Sequence, residues 1–353
     1  MPKAEIPAFV GELARDVEAK LAELIAGEEH RWLADNPDLA VLFDELRRLV
    51  LGGGKRMRPA FCLLGALAAG GTKNDHVVRA GAALEMLHAM ALFHDDVIDG
   101  SASRRGHETT HVRHARLHRD GAWAGDAHRF GDGVAILVGD LAHVYADQLM
   151  EPMSARVRDV WTQMRLEVNI GQYLDVFGSA RRDFTLATAE RIGLYKTAKY
   201  TIERPLHIGA LIADPNVADA ILMAMSGYGV SLGVAFQMRD DVLGVFGEPD
   251  VTGKPAGDDL RESKPTALIA EAIAAATPTQ RSVLDLIGSA DLDATRIDDI
   301  RRVIVDTGAL ALVESQIGTL TETAVHALDV LGLGNDVHEK FVSLAHAIAW
   351  RSV

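Results

Sequence analysis

Asp95, Asp96 and Asp99 close an apolar helical pattern in "LEMLHAMALFHDDVIDGSASRRG", and Arg104 and Arg105 follow after a short turn. With Asp95 at zero on a helical wheel, Asp99 falls about 40° away, His88 about 20°, Leu84 about −20° and Ala91 about −40°, so all share one face. Asp96 points to the side. Like charges at i, i+4 repel, and negative charge at a helix C-terminus opposes the macrodipole. A bound divalent cation reverses both penalties. Oxygen-only ligands favour Mg²⁺, which keeps waters and shares its sphere with substrate phosphates. Taken alone, the same string also describes a solvated helix end.

A second acidic end, "GYGVSLGVAFQMRDDVLG", repeats this logic in weaker form. Asp240 and Asp241 are adjacent, Gln237 lies about 60° from Asp240, and the i+4 partner of Asp240 is Gly244. Gly229 and Gly233 lie under Asp240, either for close helix packing or to leave room for a ligand tail. Three basic segments accompany the two ends. "GGGKRMRP" supplies Lys55, Arg56 and Arg58 beside glycines that let backbone approach an anion. "YKTAKYT" supplies Lys196, Thr197 and Lys199, and "TGKPAGDDLRESKPT" supplies Lys254 and Lys264. Such a set suits a divided task, with Arg and Lys binding one phosphate group directly and carboxylates binding another through Mg²⁺.

The elements that must position these groups read as helices at 5–27, 37–51, 57–69, 74–97, 132–150, 154–179, 186–199, 202–213, 216–243, 264–275, 278–288, 295–305, 308–330 and 335–351. Strand signals are scarce, and no low-complexity linker divides the chain. One all-α domain over 1–353 is expected. Two long irregular segments, about 100–131 and 244–263, each follow a helix that ends in paired aspartates, and long loops in compact proteins are often functional.

The 353 residues carry a formal charge of −14, which argues against a nucleic-acid surface. Cys62, the only cysteine, cannot form an internal disulfide and reads as a small core residue in a reducing compartment. No signal peptide is visible and no run approaches the ~20 apolar residues of a membrane span, so a cytoplasmic protein without a transmembrane segment is expected. His111, His114 and His118 have i, i+3, i+7 spacing, but a solvated loop is the simpler reading than zinc. His94 reads as a packing residue. Gln172 and Asp175 fall on one turn of an apolar helix.

The ordered set "GGGKRMRP", "LFHDDVIDGSASRRG", "YKTAKYT", "FQMRDDVLGVFG" and "GKPAGDDLRESK", spanning residues 52–266, resembles the trans-isoprenyl diphosphate synthases, or polyprenyl synthetases, and among them the bacterial geranylgeranyl diphosphate synthases. The resemblance implies an isoprenoid synthase fold, a bundle of ten or more helices around a central apolar cavity. It also implies a homodimer and three Mg²⁺ per site. Asp95 and Asp99, supported by Asp96, would hold Mg²⁺ on the allylic diphosphate, with Asp240 and Asp241 binding a further ion. Arg104, Lys196 and Lys254 would contact the allylic diphosphate. Lys55, Arg58, His88 and Arg105 would hold isopentenyl diphosphate. Thr197 and Gln237 would place oxygen dipoles near a developing carbocation, and Lys264 would help close the site. Gln172 and Asp175 resemble a position that supports the metal site.

Two departures stand out. Gly244 replaces a third Asp common in the family, and Ser263 and Pro265 stand where a Gly and an Arg are usual. The implied reaction condenses isopentenyl diphosphate with dimethylallyl, geranyl or farnesyl diphosphate. Chain length would be set by Ala91, Met90 and Leu87, with Leu84 deeper. The absence of an aromatic at Met90 or Ala91 points to a C20 product, with C15 or longer chains as alternatives. A product-length-modifying subunit of a heteromeric synthase and a terpene cyclase remain competing readings. Lys55, Arg58 and Arg105, suited to a second diphosphate, disfavour the cyclase.

Overall fold

The computed structural model describes residues 6–247, 257–289 and 291–351. They are helical apart from turns and one two-stranded hairpin, in accord with the all-α expectation. The chain forms two compact units: Ala8–Arg158 with Ile208–Pro215, and Asp159–His207 with Asn216 onward.

The first unit contains α1 (Ala8–Leu33), α2 (Ala40–Leu51), α3 (Met57–Ala68), α4 (Asp75–Ile98), α5 (Thr110–Asp120) and α6 (Ala127–Met150). Helix α1 buries Val10, Leu13, Val17, Leu21 and Ile25, a stripe at three- and four-residue spacing. Helix α4 starts where the Asn74 side chain accepts the Val77 amide. It is buried on most sides, so its apolar residues show no single stripe. Close approach to it needs small residues. A Cβ on Gly81 would stand 3.0 Å from Val17 and 3.2 Å from Pro59, and one on Gly139 of α6 would strike His94. The His94 ring also sits 3.1 Å from the Ile136 carbonyl of α6, in the packing role expected of it. Cys62 is fully buried, and burial pushes its thiol up to about 12, which makes it a core residue.

The second unit is organised on α10 (Asp219–Phe246). A run beginning as α8 (Leu186–Ile192) passes through an eleven-residue π-helix (Gly193–Glu203) into α9 (Arg204–Ala213), whose last residues belong to the first unit. The sequence reads this run as two helices; the structure joins them through wide π turns, which are frequent at functional sites. Gly229 and Gly233 serve packing here. A Cβ on either would come within 2.7 Å and 2.3 Å of the Cα atoms of Glu203 and Ala198 on the π-helix. Helix α7 (Ala155–Arg181), α11 (Asp258–Arg261), α12 (Ala267–Ala275), α13 (Pro278–Leu284), α14 (Ala294–Asp306), α15 (Ala309–Ala327) and α16 (Asn335–Ala349) complete the fold. Val242, Leu260, Leu268, Ile300, Ile304 and Ile317 share the core of this unit.

Three expectations need correction. The segment 100–131 is not one loop: it holds the hairpin β1 (Ser103–Arg104)–β2 (His107–Glu108) and α5. His114 and His118 are therefore not solvated but buried. His114 lies 3.3 Å from Glu45, and His118 packs on Trp123 and Phe130. By length and composition α10 could cross a membrane, although no such run was expected from the sequence. It buries Met225, Tyr228, Leu232, Ala235 and Met238 within its unit.

Candidate active site

Two clusters form, one in each unit. In the first, α4 ends in Asp95 and Asp99, with the Asp99 amide donating to the Asp95 carbonyl at 2.8 Å. The chain then turns at Gly100, φ 64°, into the hairpin. Arg105 and Gly106 form its tip with φ of 52° and 76°, the left-handed pair that a two-residue turn between twisted strands requires. This geometry folds Arg104 back on α4. Its Nε donates to Asp96 Oδ1 at 2.7 Å, and its Nη2 lies 2.6 Å from the same oxygen and 3.5 Å from Asp95 Oδ2. Asp96, buried and pointing aside, thus anchors the arginine that reaches Asp95.

Arg105 runs to the glycine loop before α3, and its Nη1 donates to the Gly53 carbonyl at 2.6 Å. A Cβ on Gly54, φ 145°, would sit 3.3 Å from Arg105 Nη2, so glycine there serves both the turn and the approach. His88, half-buried on α4, is pushed well below its ordinary pKa by burial and by the cations of Arg58, Arg105, Arg104 and Arg56, which leaves it neutral at pH 7. A cavity of about 380 Å³ lies beside Arg104 and Arg105, lined also by Leu49, Leu51, Phe93 and Asp96.

In the second cluster, Lys196 Nζ lies 2.5 Å from Asp175 Oδ2 on α7. A Cβ on Gly171 would stand 2.4 Å from the Lys196 amide nitrogen, so that glycine lets α7 meet the π-helix. The Thr197 hydroxyl donates to Gln237 Oε1, and Gln237 Nε2 donates to Asp241 Oδ1 at 2.7 Å. Burial lifts the Asp241 carboxyl to about 7; the Gln237 bond opposes this, and the charges of Asp259 and Asp175 add to it. Asp240 is paired with Arg351, which also lies 4.1 Å over the Phe236 ring. Lys264 Nζ is 2.6 Å from Glu262 and 4.0 Å from Asp259. Lys254 lies outside the described residues.

The structure accounts for Gly244 in the second motif. A Cβ on Gly244 would fall 1.9 Å from Asp259 Oδ2, so the carboxylate of Asp259 already fills the space an aspartate at 244 would enter. Ser263 adopts φ 57°, the left-handed region that favours glycine. Sequence reasoning missed Arg351, Asp259 and the inward turn of Arg56. No local pattern marks them, because their partners lie far away in sequence.

Among the described residues, no three His, Cys, Asp or Glu side chains converge to hold a metal by themselves. The donor chemistry still fits Mg²⁺, since Asp95 and Asp99 offer hard oxygens on one helix face and Mg²⁺ takes few protein ligands beside water and phosphate.

Residues 40–304 match the polyprenyl synthetase family model. Among curated relatives, the geranylfarnesyl diphosphate synthase of Aeropyrum pernix is 34% identical, covering 78% of this chain and 83% of its own. The geranylgeranyl diphosphate synthase of Mycobacterium tuberculosis (strain ATCC 25618 / H37Rv) is 35% identical over 62% of this chain and 59% of its own. The crystal structure of a geranylgeranyl pyrophosphate synthase from Corynebacterium glutamicum, complexed with isoprenyl diphosphate and magnesium, superposes with a TM-score of 0.92. It is 38% identical, covering 96% of this chain and 99% of that one. The family match and these relatives place the chain among enzymes of isoprenyl diphosphate chemistry. The chain belongs to the polyprenyl synthetase family and is a trans-prenyltransferase.

Proposed function

We propose that the protein condenses isopentenyl diphosphate with an allylic diphosphate and releases mainly the C20 product, geranylgeranyl diphosphate. The observation that carries this reading is the Asp95–Arg104–Arg105 cluster, where Arg104 reaches Asp95 at the end of α4 and its neighbour Arg105 is tied to the glycine loop. Asp95, Asp99 and Asp240, with Asp96 and Asp241 in support, hold three Mg²⁺ ions. When bound, these supply positive charge that stabilises the departing diphosphate.

Arg104, Lys196 and Lys254 bind the allylic diphosphate, while Lys55, Arg58, neutral His88 and Arg105 bind isopentenyl diphosphate. The allylic C1–O bond breaks, the isopentenyl double bond attacks C1, and the departing diphosphate takes the proton lost from C2. Thr197 and Gln237 turn oxygen dipoles toward the cation. Gln237 is held for this by the chain of bonds from Thr197 to Asp241. Lys264 helps close the site. Beneath Asp95, the small Ala91 and the buried Met90, Leu87 and Leu84 let the growing chain pass before it meets a floor.

The enzyme acts as a cytoplasmic homodimer. An apolar stripe on α7 supports the dimer: Leu166, Ile170, Tyr173 and Phe177 are exposed at helical spacing, with the last two rings stacked at 5.5 Å.

The test is incubation of the purified chain with Mg²⁺, labelled isopentenyl diphosphate and each allylic primer, with products resolved by length. Mg²⁺-dependent C20 prenyl diphosphate is expected. Elongation only beside another subunit marks a length-modifying partner, and a hydrocarbon formed without isopentenyl diphosphate marks a cyclase.

A further inference from the structure

Arg56 lies between Lys55 and Arg58 in sequence but, unlike them, is buried. It is the N-cap of α3, with φ 49°, and only 4% of it is exposed. Its guanidinium is spent inside the first unit. Nη1 donates to Glu85 Oε2 at 2.6 Å, Nε and Nη2 donate to Glu18 Oε1 at 3.1 and 3.0 Å, and Nη2 donates to the Val50 carbonyl at 2.7 Å. A planar fork with five N–H donors can meet three spread acceptors in fixed geometry, whereas a lysine offers only a compact point charge.

Glu85 is equally buried and sits on α4 three residues before His88. Gly53, Gly54 and Arg56 all have positive φ, so the loop 52–56 holds an unusual path that local preference does not enforce. Two ties enforce it instead: Arg56 to α4 and α1 at one end, and the Gly53 carbonyl to Arg105 at the other.

We propose that Arg56 and Glu85 are positioning residues whose buried ion pair fixes the loop 52–56 on α4 and so sets Lys55, Arg58 and Arg105 for the diphosphate of isopentenyl diphosphate without touching it. The inference rests on the substrate assignment made under the proposed function. Glu85 does a second job as well. Burial and then the positive charges of Arg56 and Arg104 lower the pKa of Arg105, and Glu85 opposes them in part.

The test is steady-state kinetics on the full-length enzyme, varying each substrate separately, with Arg56→Lys, Glu85→Gln, Glu85→Asp and Lys55→Ala. For Arg56→Lys and Glu85→Gln, the KM for isopentenyl diphosphate should rise on the order of tenfold or more. The KM for the allylic substrate and kcat at saturation should stay within about twofold. Glu85→Asp, which keeps the charge, should recover part of the loss. If Glu85→Gln does not fold by circular dichroism, Arg56→Lys alone decides. An unchanged KM for isopentenyl diphosphate in Arg56→Lys, beside a raised one in Lys55→Ala, overturns the positioning role. So does a loss that falls equally on both substrates. No effect in Lys55→Ala overturns the loop as the isopentenyl subsite and, with it, the inference.

Discussion

Ala91, one turn below Asp95, is a single methyl group where a bulky ring would close the path of the chain. Phe there would fill the space about 6 Å beneath the first aspartate. Ala91→Phe is expected to shorten the main product by at least one C5 unit while leaving isopentenyl transfer intact, as read by radiochromatography under matched conditions. Unchanged chain length would remove Ala91 from the floor. At this scale the sequence was informative where residue type and spacing alone define chemistry, as with Asp95, Asp99 and the hairpin arginines. It was mute where a distant carboxylate decides. Gly244 reads as a missing ligand until Asp259 is seen against it, and Arg56 reads as a phosphate ligand until Glu85 is seen taking its charge.

The hairpin that carries Arg104 and Arg105 depends on the elements after it. Helix α5 begins directly behind β2 and is held to α2 through Glu45, which is 0% exposed. Burial raises the pKa of this carboxyl, but the close approach of His114, the bond from Thr110 and the charges of Arg48 and Arg113 outweigh it and hold it at about 2. A carboxylate depressed in the folded state stabilises above its unfolded pKa and loses that contribution as pH falls through the folded value. Stability should therefore drop by about 3 kcal/mol between pH 5 and 2 through this group. Urea unfolding across that range should show the drop in the wild type, and Glu45→Gln should lower stability at pH 7 and flatten the acid limb. An unchanged acid limb would remove Glu45 as the clamp. Helix α5 escaped sequence reading because "HETTHVRHARLHRDG" is polar by periodicity and its buried faces are histidines. Most other helices were legible from apolar spacing, although the π-helix was not, since its wide turns shift the phase on which that spacing is counted.

At the scale of the whole molecule, the fold class followed from helical periodicity along the entire chain, whereas assembly did not, because an exposed stripe and a buried one read alike in sequence. Ile170, 52% exposed at the centre of the α7 stripe, separates them. Ile170→Glu is expected to shift sedimentation from dimer to monomer, since a charge cannot be buried there unpaired. A monomeric wild type would contradict the proposed assembly.

The account assigns Asp95 and Asp240 to the binding of Mg²⁺ and, with it, of the allylic diphosphate. The direct measurement is calorimetric binding of a non-ionisable allylic thiodiphosphate, with and without Mg²⁺, to the wild type, Asp95→Asn and Asp240→Asn. The account predicts strong Mg²⁺-dependent binding by the wild type and loss of that dependence in both variants. Wild-type affinity indifferent to Mg²⁺, or either variant binding as the wild type does, would contradict it.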